Sequence, residues 1–297
     1  MSNVILRRQF LRTSTVAMTT TFWPTDRIEA KPETPSHRAR LFAGCCAYSY
    51  RKYLAGGQMT MEDFILKGVE LGVHAVDVTT YWLKSAEPSY LVSLRHFAFK
   101  QGMPFSGVAI STNMCQPDSA KRADELKKVR DWVDATEWLG ASHLRVFGGE
   151  LPPGATEEQG IQWVVELMKP ACDFSAKKGI TLGIEDHGGI TAKASTILEI
   201  LKRVDSSYAG VNLDITNFKE DYYAQIQACI PHATHTHIRD VFENHEPVDF
   251  DRVFKMFAQA GYKGYMSAEY EGAEDSMTGV PKLIGKIKTL CEKYSTA

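Results

Sequence analysis

The 297-residue sequence has no uninterrupted apolar run of about 18 residues, which excludes a multi-span membrane protein. It has no basic excess either: 34 Lys and Arg stand against 36 Asp and Glu, a formal net charge of −2. Nucleic-acid binding draws its affinity from such an excess, so no nucleic-acid partner is expected. The six cysteines include an adjacent pair, Cys45 and Cys46, but no CxxC spacing, which argues against structural zinc and a thioredoxin-like motif. They read as buried free thiols. Low-complexity segments, collagen-like repeats and long linkers are missing as well. What remains, at 44% hydrophobic and 24% charged residues, is an ordinary globular chain long enough to bury a sizeable core.

Residues 1–35 differ from the rest. Leu6-Arg7-Arg8-Gln9-Phe10-Leu11-Arg12 precedes a weakly apolar, Thr-rich stretch that runs to Phe22-Trp23 without an acidic residue. Paired arginines before Phe-Leu resemble a twin-arginine export signal, with cleavage expected near Ala30. That route carries folded proteins, often with their cofactor, so an exported, periplasmic product is expected. If the segment is only a basic tail, the protein stays cytoplasmic.

From about residue 41 a single unit recurs: a short apolar run, a loop, an amphipathic helix, then Gly and the next apolar run. Gly72, Gly102, Gly140, Gly179 and Gly261 each stand where a helix C-cap is expected, just before a strand. Eight strand candidates follow from this reading: 41–47, 75–79, 105–111, 143–147, 180–185, 210–214, 234–238 and 265–269. Thr60, Thr156 and Asp249 read as N-caps of intervening helices. Eight βα units in about 255 residues predict an α/β fold, a single-domain (β/α)8 TIM barrel over residues 36–297. A doubly wound open sheet competes less well, because the first strand runs into Tyr48-Ser49-Tyr50-Arg51 and no GxGxxG or Walker loop follows it.

In such a barrel the chemistry sits where the strands end and the βα loops converge. The fifth strand ends at Glu185, the sixth at Asp214, the seventh carries His237 and the eighth ends at Glu269. The spacings of 29, 23 and 32 residues are each about one βα unit, so the four side chains fall on one half of the mouth. Three carboxylates and one imidazole suit one divalent cation, Mn, Mg, Co or Zn, with positions left open for a substrate. Without a cation, carboxylates so close would raise one another's pKa. An acid just after a strand is also often the N-cap of the next helix, but here further loop residues separate each acid from its helix. His235 shares strand parity with His237 and reads as a core or supporting histidine rather than a ligand.

Four motifs carry a family resemblance: Gly-Ile-Glu185-Asp-His187-Gly-Gly, Asn-Leu-Asp214, His237-Ile-Arg-Asp240, and Gly261-Tyr-Lys-Gly264-Tyr-Met-Ser-Ala-Glu269-Tyr-Glu-Gly. In order and spacing they resemble the sugar phosphate isomerase/epimerase proteins with the xylose-isomerase-like barrel, over about residues 41–295. The resemblance implies that Glu185, Asp214, His237 and Glu269 hold one divalent cation, and that Glu185 and Glu269 are the catalytic acid/base pair. Proton removal beside a sugar carbonyl leaves an enediolate, whose charge a cation stabilises. Return of the proton to the same carbon from the other face epimerises, and return to the neighbouring carbon isomerises. Asn217 stands where ketose 3-epimerases often carry His, three residues after the Asp ligand, and their substrate-binding Arg beyond the His ligand is missing. Both departures point away from a ketohexose 3-epimerase. The endonuclease branch needs further histidines in the early strands, and His74 and His143 stand at the wrong strand ends.

Other residues at the mouth complete the expected site. Tyr48, Tyr81 and Trp82 form either an apolar wall for a sugar ring or a simple cap on the barrel. Asn113, His187 and Asn217 are candidate partners for substrate hydroxyls, and Arg145 reads as an interior ion-pair partner for a ligand carboxylate. Glu271, Glu274 and Asp275 make the last loop acidic, which favours a neutral sugar or keto-sugar over a sugar phosphate. Two other functions fit the same residues: a metal-dependent lyase or hydrolase on 3-keto-sugar glycosides, and a barrel that binds carbohydrate or metal without turnover. A homo-oligomer is compatible with either.

Overall fold

The computed structural model describes residues 38–242 and 244–295, so the export-like segment at 1–35 lies outside the described residues. The eight strands are β1 (Arg40–Cys46), β2 (Ala75–Thr79), β3 (Phe105–Ala109), β4 (His143–Phe147), β5 (Thr181–Glu185), β6 (Ala209–Asp214), β7 (Ala233–Ile238) and β8 (Lys263–Ala268). The helices around them are α1 (Arg51–Ala55), α2 (Met61–Leu71), α3 (Pro88–Lys100), α4 (Ser119–Leu139), α5 (Glu157–Ala176), α6 (Ala194–Val204), α7 (Tyr222–Cys229), α8 (Phe250–Gln259) and α9 (Ser276–Tyr294). All neighbouring strands are parallel and pair in sequence order. β1 also pairs with β8, from Arg40 opposite Lys263 to Cys45 opposite Ala268, so the barrel closes.

The local signals behave as their chemistry requires. Thr60 with Asp63, and Thr156 with Gln159, form reciprocal capping boxes at the starts of α2 and α5. Asp249 accepts from the backbone N–H of Arg252 to open α8. The five junction glycines all have φ between 63° and 77°, the left-handed geometry that lets a helix stop and turn into a strand. Most strand limits fall within one residue of the sequence reading, and β3 and β8 each differ by two at one end. β3 stops at Ala109 rather than residue 111, and 112–115 instead bond sideways to the β4 end: Thr112 Oγ1 donates to the Phe147 carbonyl, and the amides of Met114 and Cys115 donate to the Gly148 carbonyl. β8 begins at Lys263, so Glu269 lies just past the strand end.

Helices pack on the outside through buried Leu, Ile, Val, Phe and Met, whereas the barrel interior is unusually polar. Asp77, His143, Arg145, Glu185, Asn212, Asp214, His235, His237 and Ser267 are all buried. They alternate along their strands, the period-two pattern of one inward face. All six cysteines are free and buried, as a reading of apolar thiols requires. Among the described residues no helix is long and apolar enough to cross a membrane.

Candidate active site

Ligand atoms of Glu185, Asp214 and His237 all lie within 4.8 Å of one another. His237 Nδ1 is 3.5 Å from Glu185 Oε2 and 3.5 Å from Glu269 Oε2, so the fourth residue closes the same group. Strand ends position them: Glu185 and Asp214 are the last residues of β5 and β6, His237 is next to last in β7, and Glu269 follows β8. Asp214 Oδ1 accepts from the amide and hydroxyl of Thr216, whereas buried Asp214 Oδ2 has no hydrogen-bond partner and meets only the Arg239 guanidinium, at 3.0 Å. An orphaned carboxylate oxygen, two further carboxylates and an imidazole at this spacing fit a divalent cation.

Positive side chains surround the acids. Arg145 Nε lies 3.3 Å from Glu185 Oε2, with its guanidinium 3.9 Å over the Phe147 ring, the interior ion pair expected of it. Burial pushes the Glu185 carboxyl up, but the Arg145 charge and the bonds from His187 and His237 outweigh this and hold it well below the usual range. For Glu269 burial, together with the Asp214 and Glu185 charges, outweighs the opposing pull of His237 and Arg239 and pushes it up to about 7. Their surroundings thus push the two glutamates in opposite directions. Burial lowers the tendency of His237 to hold a proton, yet Glu269, Cys46 and Asp77 reverse this and raise its pKa well above the ordinary value.

The substrate-side candidates divide. His187 joins the site: its Nδ1 is 3.1 Å from Glu185 Oε1 and its ring stacks on Phe147 at 4.2 Å, with the far edge exposed. Tyr48 and Trp82 lie 5.8 Å apart and Tyr81 and Trp82 5.7 Å apart, a continuous aromatic run on the turns after β1 and β2 in which Tyr81 is 47% exposed. Asn217 is instead taken by Arg239, whose Nη2 donates to its Oδ1, so it supports Asp214 through that arginine. Asn113 packs its buried Oδ1 against Gly149, where a Cβ would also meet the Asn113 backbone at 3.0 Å. The acidic last loop is charge-matched: Glu271 pairs with Arg51 and Arg239, Glu274 with Lys282, and Asp275 caps α9.

Five residues of the site were not picked out from sequence. Asn212 Nδ2 donates to Glu185 Oε2 at 2.9 Å, and Asp186 Oδ1 accepts from the Asp214 amide at 2.8 Å. Asp77 Oδ1 lies 3.5 Å from His237 Nε2, Cys46 Sγ lies 3.6 Å from Glu269 Oε1, and Arg239 bridges Asp214 and Glu271. Strand parity was the available signal for two of them: Asn212 stands two residues before Asp214, and Asp77 two before Thr79. His235 is a supporting residue as expected, buried and stacked on His143 at 5.0 Å.

A family model described as a xylose isomerase-like TIM barrel matches residues 66–290. The chain belongs to this family. Within the xylose isomerase-like TIM barrels it is similar to a 2-oxo-tetronate isomerase of Haemophilus influenzae, 23% identical over 161 residues. That match takes in 48% of this chain and 60% of the relative, so the chain spans less than two thirds of the relative's length. Solved structures of like fold include a D-allulose 3-epimerase from Methylomonas sp., at 18% identity and a TM-score of 0.68, with 86% of this chain and 98% of that chain covered. A 3-keto-D-glucoside 4-epimerase from E. coli superposes with a TM-score of 0.65 at 13% identity, over 85% of this chain and 100% of that one. These relatives are an isomerase and two epimerases.

Proposed function

We propose that the chain is a divalent-metal-dependent sugar isomerase or epimerase that moves a proton beside a substrate carbonyl. The observation that carries this is the cluster of Glu185, Asp214 and His237 at the C-terminal mouth of the barrel, with Glu269 3.5 Å from His237 Nδ1. Bound there, the cation supplies positive charge against the developing enediolate. The side chains do the rest. Glu185, kept ionised by Arg145, takes the proton, and Glu269 on the other face returns one. Asn212 and His187 fix the Glu185 carboxylate by one bond to each oxygen, and Arg239 with Thr216 fixes Asp214. Tyr48 and Trp82 offer their rings to the C–H face of a sugar, and the open edge of His187 offers a hydroxyl partner.

A keto-sugar without phosphate is the proposed substrate class. The charges of the last loop are already spent on Arg51, Arg239 and Lys282, which leaves no built phosphate cradle there. The likeness to a 3-keto-D-glucoside 4-epimerase supports keto-sugars, and the same base would equally serve an elimination on such glycosides. Calorimetric titration with Mn²⁺ and a screen of keto-sugars for interconversion test the reading. One Mn²⁺ per chain, with turnover lost in Asp214→Asn and Glu185→Gln, is expected. A metal-bearing protein that interconverts none of the sugars leaves the binding barrel as the function. By the twin-arginine-like segment we further propose that the folded, loaded protein is exported.

A further inference from the structure

We propose that Cys46, Asp77 and His237 form a second seat for a soft divalent cation, Zn²⁺ or Co²⁺, beside the four-residue constellation and distinct from it. Cys46 Sγ, an Asp77 oxygen and a His237 ring nitrogen all lie within 4.8 Å of one another. Cys46 and Asp77 face each other in register across β1 and β2, and His237 reaches them from β7. All three are buried, with Asp77 2% exposed.

Cys46 Sγ reaches Glu269 Oε1 and Thr79 Oγ1 at 3.6 Å each and Asp77 Oδ2 accepts from Ser267 Oγ, but other polar atoms around this point are unpartnered. Asp77 Oδ1 has no hydrogen bond, although His237 Nε2 stands 3.5 Å away. Both ring nitrogens of buried His235 are unpaired, and its Nε2 lies 4.0 Å from Asp77 Oδ2. Two atoms that share a hydrogen bond approach to about 2.7–3.2 Å. Tetrahedral donors that share a zinc at about 2.0–2.3 Å instead lie about 3.3–3.8 Å apart, as His237 Nε2 and Asp77 Oδ1 do at 3.5 Å. His235 lies beside the three donors as a supporting residue, its Nε2 4.0 Å from Asp77 Oδ2. The two seats do not compete for an atom of His237: Nδ1 faces Glu185 and Glu269, and Nε2 faces Asp77. A thiolate beside an imidazole and one carboxylate selects Zn²⁺ or Co²⁺ over Mg²⁺ or Ca²⁺. Occupation sends the Cys46 thiol proton and the His237 Nε2 proton to solvent, as ligation by thiolate and a doubly bound imidazole requires.

The seat shares only His237 with the proposed catalytic cation, so the two ideas fail separately. The full chain, stripped with chelator and titrated with Co²⁺, is expected to bind two ions and to show a thiolate-to-cobalt charge-transfer band in the near ultraviolet. Cys46→Ser should keep one ion and lose the band, and Asp77→Asn, which preserves shape, should do the same. Asp214→Asn should keep the band with one ion. A wild-type chain that binds one ion without the band overturns the second seat, as does a band that survives Cys46→Ser. One ion with the band, retained in Asp214→Asn, supports this seat and removes the catalytic one.

Discussion

Replacing Arg145 with Met removes the arginine paired with Glu185 while filling most of its volume. The pair is buried on both sides, with Nε and Oε2 3.3 Å apart. Unit charges about 4 Å apart at an effective dielectric of about 20 attract by about 4 kcal/mol. Breaking such a pair from one side strands a buried carboxylate and costs about 3–5 kcal/mol. That is a large share of the roughly 5–15 kcal/mol that holds a domain together. Urea unfolding of metal-free protein at pH 7 should show it as a clear drop in midpoint. The sign with pH follows from the direction of the shift. Because the folded-state pKa of Glu185 is depressed, its stabilisation is present above the ordinary carboxylate pKa and fades as pH falls towards the folded value. The deficit of Arg145→Met against wild type should therefore shrink in strong acid. In a double-mutant cycle with Glu185→Gln, the double mutant should lose less than the sum of the singles by more than about 1.5 kcal/mol. A change below about 1 kcal/mol at pH 7, or strict additivity, would refute the pairing.

Three further outcomes follow from particular contacts. In Gly183→Ala a Cβ would lie 2.8 Å from His143 Cε1 and 3.1 Å from the Asn212 amide, so thermal unfolding should reveal a loss of about 1–3 kcal/mol; an unchanged midpoint would contradict the tight interior. Because Glu269 sits near pKa 7 in the cation-free site, Mn²⁺ affinity measured by calorimetry should weaken as pH falls from 8 to 6, and a flat profile would tell against its role as a ligand. In cells with a working twin-arginine system, the mature N-terminus should fall near Ala30 and Arg7→Lys with Arg8→Lys should block export; an intact Met1 on all the protein would rule the signal out.

The barrel was legible because each βα unit repeats its own punctuation. Gly at the helix end and Thr or Asp at the next helix start are local chemistry, and Gly72, Gly140, Thr60 and Thr156 do in the structure what their types prescribe. Glu185, Asp214, His237 and Glu269 were visible for a related reason: each stands at a strand end, and strand ends of a closed barrel meet. Contacts made across the barrel were less legible. Cys46 and Asp77 belong to β1 and β2, yet they meet His237 only because the barrel closes through β8. Asn217 gives its oxygen to Arg239, a choice settled by where the β6 and β7 ends lie relative to each other, while its amide nitrogen has no hydrogen bond. Asn113 lies on the chain that leaves the sheet after Ala109 to bond to the β4 end, with its side-chain oxygen unpartnered.

Proton exchange from D₂O into sugars, followed by ¹H NMR with the Mn²⁺-loaded chain, tests the central claim most directly, since it reports on removal of the proton beside the carbonyl whichever product forms. The account predicts loss of that C–H signal for at least one keto-sugar, dependent on the cation and abolished in Glu185→Gln, whereas Glu269→Gln should lose turnover to product. Exchange that persists in Glu185→Gln, or a cation-loaded protein that exchanges no proton in any sugar, would contradict it.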